Sequence, residues 1–165
     1  MKDRKRELRK SRSNLVDMGE GVIALSAWTI LKFIMFSIFN KAKLIDMVKN
    51  ELKGEEYPPF MYELAVIFVD VIVLALMTFI MVITYWIGKS AIKEGKNGKK
   101  GIVYVAAAFV FVLLYANSVY TGIMNLINGT PSIFDDAASI LVDITTLFAF
   151  AGLTISAIKV KLLGE

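Results

Sequence analysis

Four apolar stretches, roughly over residues 21–39, 64–87, 102–127 and 133–158, constrain this chain more than anything else in it. Each holds about 20 residues or more, which at about 1.5 Å of rise per helical residue suffices to cross a hydrocarbon layer of about 30 Å. Three of them carry a charge in their interior: Lys32 in the first, Asp70 in the second and Asp143 in the fourth. A charge at the centre of a spanning helix costs about 2.5–3.5 kcal/mol on insertion scales, so each needs a partner or a purpose. The fold expected is an all-α integral membrane protein, a four-transmembrane-helix up-down bundle. It is expected to form a single membrane domain over residues 1–165, with a basic cytoplasmic tail over residues 1–20.

Composition agrees. The apolar fraction is 56%, above the roughly 45–50% of soluble domains, and four spans leave no room for a separate soluble domain. The first apolar run is longer than the roughly 7–15-residue core of a signal peptide and lacks a small-residue cleavage pattern, so it is expected to remain in the mature chain. The chain has no Cys and no His. Their absence argues against membrane thiol–disulfide oxidoreductases, His-ligated haem proteins, and peptidases or phosphatases that use His as base, ligand or nucleophile. Carboxylate, Lys, Tyr and hydroxyl groups remain for chemistry. No cofactor and no metal are expected.

The distribution of charge sets the orientation. Lys2, Arg4, Lys5, Arg6, Arg9, Lys10 and Arg12 precede the first span, Lys89, Lys93, Lys96, Lys99 and Lys100 follow the second, and Lys159 and Lys161 follow the fourth. The connection after the first span is mixed, and the one after the third has no Lys or Arg but carries Asp135 and Asp136. Short-loop Lys/Arg bias places both termini and the middle connection in the cytoplasm of a bacterial cell. Topology thus accounts for the net charge of +4, and no nucleic-acid partner is expected.

Local signals mark the boundaries. Pro58-Pro59 leads into the second span, Glu94-Gly95-Lys96-Asn97-Gly98 reads as a turn between the second and third, and Asn128-Gly129-Thr130-Pro131 ends the third. Ser132 and Asp135 have the spacing of a capping box. Leu44, Ile45, Val48 and Leu52 follow helical spacing, with Gly54 as a stop, so a short amphipathic helix is expected in the first outer connection. Residues 3–12 read equally as a basic helix drawn to anionic lipid or as a disordered tail. Tyr85 and Trp86 suit an interfacial anchor, whereas Trp28 is expected to pack in the interior.

The polar groups of the spans share a depth. Lys32, Asp70, Asp143 and Asn117 each fall seven or eight residues from the outer end of their run, about 10–12 Å below the outer boundary. Ser139 and Thr146 stand at i−4 and i+3 from Asp143, on one face, and Tyr115, Ser118 and Thr121 add hydroxyls to the third span. A cluster of one Lys and two Asp leaves one carboxylate in excess, to be met by a proton, a cation or water. Three readings follow. A Lys32–Asp ion pair could fix which helices meet. The layer could handle protons or cations, with Asp70 and Asp143 titrating, Lys32 as counter-ion and Asn117 as a neutral ligand. One charge could instead meet another subunit, either in a homo-oligomer or in a larger membrane complex to which this chain docks as an accessory or immunity-type subunit.

Two intramembrane carboxylates could also form an aspartyl dyad sharing a proton. In length, span number, orientation and Asp residues near the outer face, the chain resembles lipoprotein signal peptidase. The segment from Ile133 to Ile140 holds Asp135, Asp136 and Ser139 where that family has Asn-x-x-Asp-Ser. The order of these residues differs, and the family's Asn-rich Asp-Arg motif is missing from the third span, where Asn117 stands alone. The likeness is one of architecture, it assigns no residue, and no enzymatic activity is expected.

Overall fold

The computed structural model describes residues 2–39, 41–51, 58–98, 101–129 and 137–164. Five helices follow in order: α1 (Lys2–Phe39), α2 (Lys41–Glu51), α3 (Pro59–Asn97), α4 (Val103–Ile127) and α5 (Ala137–Leu163). Among the described residues the chain is all-helical. Three helices are long and apolar enough to cross a membrane, over Phe60–Asn97, Val103–Ile127 and Ser139–Leu163. The apolar half of α1 includes Lys32, Met35, Phe36, Ser37 and Phe39, whose side chains lie outside the described residues.

Three of the described boundaries have a clear local cause. Pro59 occupies the first position of α3, where its missing N–H costs nothing, and Met61 N–H closes the first turn on the Pro58 carbonyl at 2.9 Å. The expected turn at Glu94–Gly98 starts later than its composition suggested: α3 remains helical through Asn97. Only Gly98 leaves the helix, with a φ of 67° and its N–H on the Glu94 carbonyl at 2.8 Å, a left-handed stop that glycine adopts without steric cost. Gly129, with a φ of 65°, follows Asn128 past the end of α4 in the same left-handed conformation. The capping pair Ser132 and Asp135 lies outside the described residues, as do Leu52 and Gly54. A helix does form over Lys41–Glu51, with Leu44, Ile45 and Val48 half-buried and Asp46, Lys49 and Asn50 exposed.

The chain divides into two compact units, Met1–Leu25 with Ile83–Glu165, and Ser26–Val82. The core of the first gathers Leu15 and Val22 from α1, Ile87 and Ala91 from α3, Tyr104 and Ala108 from α4, and Phe150, Leu153 and Val160 from α5. Small residues let these helices approach closely, as apolar helices without a hydrophobic drive between them require. A Cβ added at Gly19 would stand 2.9 Å from the Gly88 carbonyl oxygen, and one at Gly88 2.7 Å from that of Gly19. One heptad further along α3, a Cβ at Gly95 would meet the Arg12 carbonyl oxygen at 2.8 Å. Gly95 therefore belongs to a helix crossing rather than to a turn. These pairings run antiparallel along α1 and α3, and they make the basic segment a packed part of the fold: Ser11 and Leu15 are buried.

In the second unit, α3 presents Phe68, Val71, Phe79 and Val82 outward, as a lipid-facing helix would. Trp28 corrects the expectation of interior packing, since it is 51% exposed. An apolar side chain at mid-span can face lipid as well as protein, so its depth did not fix its direction.

The close crossing yields a paired prediction. Gly88→Ala forces a backbone clash and should destabilise the protein by about 1–3 kcal/mol, the usual cost of overpacking. Gly21 has nothing within 4 Å of its added Cβ, so Gly21→Ala should be neutral or stabilising by up to about 1 kcal/mol through helix propensity. Thermal unfolding of both variants in one detergent checks the difference in sign.

Candidate intramembrane polar site

Antiparallel packing of α4 on α5 creates the candidate site. Phe111 stacks on Phe150 with ring centroids 5.1 Å apart, and Tyr115 covers the same ring at 5.8 Å. These offset contacts hold the two helices in register. Two turns beyond Phe150, toward the start of α5, Asp143 meets α4: Ser118 Oγ donates to Asp143 Oδ2 at 2.9 Å. Asp143 is half-buried, while Asn117, Ser118, Tyr120 and Thr121 are exposed. The carboxylate thus accepts from the Ser118 hydroxyl and borders an exposed face of α4.

Of the other residues expected to support it, Thr146 is buried, and its hydroxyl donates to the Val142 carbonyl at 2.7 Å, back-bonding within its own helix. Ser139 is buried. Tyr115 contributes its ring to the stack. Asn117 shares the open α4 surface with Ser118.

Asp70 lies in the second unit, half-buried. It lines an apolar groove of about 230 Å³ with Phe33, Ile34, Ile67 and Leu74. The Lys32 side chain lies outside the described residues, so the expected Lys32–Asp pairing does too. Among the described residues no group of three or more acidic side chains could hold a metal ion.

The best-formed polar cluster of the first unit was not anticipated. Glu94, 1% exposed, accepts from Lys161 Nζ at 2.8 and 3.0 Å through its two oxygens. Tyr104 Oη donates to its Oε2 at 2.8 Å and the Gly101 N–H to the same oxygen at 3.0 Å. Lys161 Nζ also donates to the Gly101 carbonyl at 2.6 Å, and sits 5.5 Å from the Tyr104 ring centroid. The buried carboxylate accepts four hydrogen bonds, three of them at Oε2, the kind of support a buried charge requires. The clamp ties the end of α3, the α3–α4 connection, the start of α4 and the end of α5. In the sequence, Glu94 and Lys161 look like solvated charges at span ends. The available signal was a lone acid among five Lys, with a Tyr ten residues on.

Comparison with protein-family models, curated proteins and solved structures finds no match. What the protein does must therefore be argued from its own residues.

Removing one partner of the clamp leaves the other buried and uncompensated. Lys161→Met should cost about 3–5 kcal/mol, as for other broken buried pairs. The double change Glu94→Gln with Lys161→Met should recover a large part of that loss. Chemical unfolding of the three proteins in detergent measures the coupling. Equal losses in the single and double variants would show that the pair does not hold these ends together.

Proposed function

We propose that this chain is a four-span protein of the bacterial cytoplasmic membrane, with residues 21–39 of α1 as the fourth span and both termini inside. On this reading it handles protons or monovalent cations at Asp143, with Ser118 as its hydrogen-bond partner and Asn117 as a neighbouring neutral ligand. Asp70 and Lys32 are assigned to the same task on the remaining two spans. The observation that carries the proposal is the Ser118–Asp143 bond at 2.9 Å on a face left open. The open side leaves the carboxylate within reach of a proton or a cation from beyond the α4–α5 pair.

A second reading is favoured by the exposure of Asn117, Ser118 and Thr121 together. Uncharged polar side chains within spans tend to hydrogen-bond to other helices. The open α4 face would then dock a second copy or a larger membrane complex, making the chain a non-transporting accessory or immunity-type subunit. In the transport reading the same face closes a pathway between subunits.

Proton and monovalent-cation flux into proteoliposomes separates them. Transport requires flux above empty liposomes that is lost, at least tenfold, in Asp143→Asn protein whose unfolding temperature is unchanged. Asp70→Asn tests the second carboxylate in the same assay. No flux in the wild type would leave docking as the working function, with co-purification of membrane partners lost on Ser118→Leu.

A further inference from the structure

A groove of about 560 Å³ runs between α1 and α5 in the first unit, lined by none of the residues of the two polar sites. Its origin is a run of small side chains on facing helices. Ser11 and Asn14 line it from α1, and Gly152 and Ser156 from α5. Two observations fix the antiparallel register of these walls. Arg4 Nε donates to the Leu163 carbonyl at 3.2 Å, satisfying one of the free carbonyls at the end of α5. At the other end a Cβ added at Gly152 would meet Met18 Sδ at 3.0 Å.

The two ends of the groove differ in chemistry. Lys10 and Lys159 line one, with Glu7, Leu162 and Leu163 beside them; Met18, Gly152 and Ile155 line the other. Both Lys side chains are exposed, as are Arg6 and Arg9 on the same stretch of α1. Seven residues separate Lys159 from Gly152, about 10 Å along the helix. The cavity thus runs from a cationic rim into the apolar zone over the distance from a phosphate to the upper part of an acyl chain, and its volume lies in the range of small-molecule sites.

We propose that this groove binds an anionic phospholipid of the surrounding bilayer, its phosphate between Lys10 and Lys159 and the start of one acyl chain against Met18 and Ile155. Charge complementarity selects the headgroup, as for basic clusters at the ends of spans. The end at Met18, Gly152 and Ile155, which offers no charged or hydrogen-bonding side chain, selects a lipid over a soluble phosphate. The inference needs the helices to be in a bilayer but is independent of Asp143, so the outcome of the flux assay does not bear on it.

Native mass spectrometry of the full chain, in neutral detergent doped with equal amounts of phosphatidylglycerol and phosphatidylcholine, tests it. At least fivefold preferential retention of phosphatidylglycerol is expected. Lys10→Gln with Lys159→Gln should abolish the preference, whereas Lys93→Gln with Lys96→Gln, which removes two exposed charges outside the groove, should keep it. Inorganic phosphate at millimolar concentration should not displace the lipid. Equal loss in both double variants would show diffuse basic attraction and overturn the site. No preference in the wild type, or displacement by inorganic phosphate, would overturn it as well.

Discussion

A carboxylate withdrawn almost completely from solvent, Glu94, is the constraint on which the rest of the first unit depends. An ionised group there is tolerable only while Lys161, Tyr104 and the Gly101 N–H all face it. Those three partners come from different parts of the chain. Satisfying one side chain therefore fixes the reach of α3, the path of the connection after Gly98, and the end of α5. The net gain from such a pair is modest, because desolvation offsets most of the attraction. Its value is specificity: apolar helices slide and rotate at little cost, and a buried charge with four hydrogen bonds does not.

The remaining helix is held by different means. α1 meets α3 through the Gly19–Gly88 crossing, where the backbones approach too closely for any Cβ. At its start, Arg4 reaches the last carbonyls of α5. Dispersion between close backbones supplies the contact area and the Arg supplies the axial register. A basic segment whose sequence explains itself as a topology signal is thereby also a structural wall, and one side of the α1–α5 groove.

The parts of this fold legible in the sequence are those set by length and hydropathy. The apolar runs that became α3, α4 and α5, the Pro-led start of α3 and the glycine stop of α4 all follow from local rules. What was not legible depends on which way a side chain points. Gly95, set between charged residues, has the composition of a turn; only the approach of Arg12 and Val16 makes it a packed helical position. Glu94 reads as one more solvated charge until Tyr104 and Lys161 are brought to it across separations of 10 and 67 residues. Trp28 has no signal of direction at all, since an apolar stretch destined for lipid lacks the polar face that orients a soluble helix. At the candidate site, Asp143 and Ser118 were each identifiable, but their pairing awaited the register set by Phe111, Tyr115 and Phe150.

That register also bears on where Asp143 sits. Along α5, 18 residues separate Asp143 from Lys161, about 27 Å of helix, close to the thickness of a hydrocarbon layer. A clamp at one boundary of that layer would put Asp143 near the other, shallower than the 10–12 Å suggested by run ends alone. A carboxylate in that position is less costly than one at mid-membrane, because less of its hydration is lost. It is also nearer to water. The α4–α5 pair would then carry two polar connections of opposite kind, separated by an aromatic stack. One is a charge sealed against solvent, where the helices must not move. The other is a carboxylate that accepts from the Ser118 hydroxyl beside an open face, where a proton, a cation or a partner could still reach it.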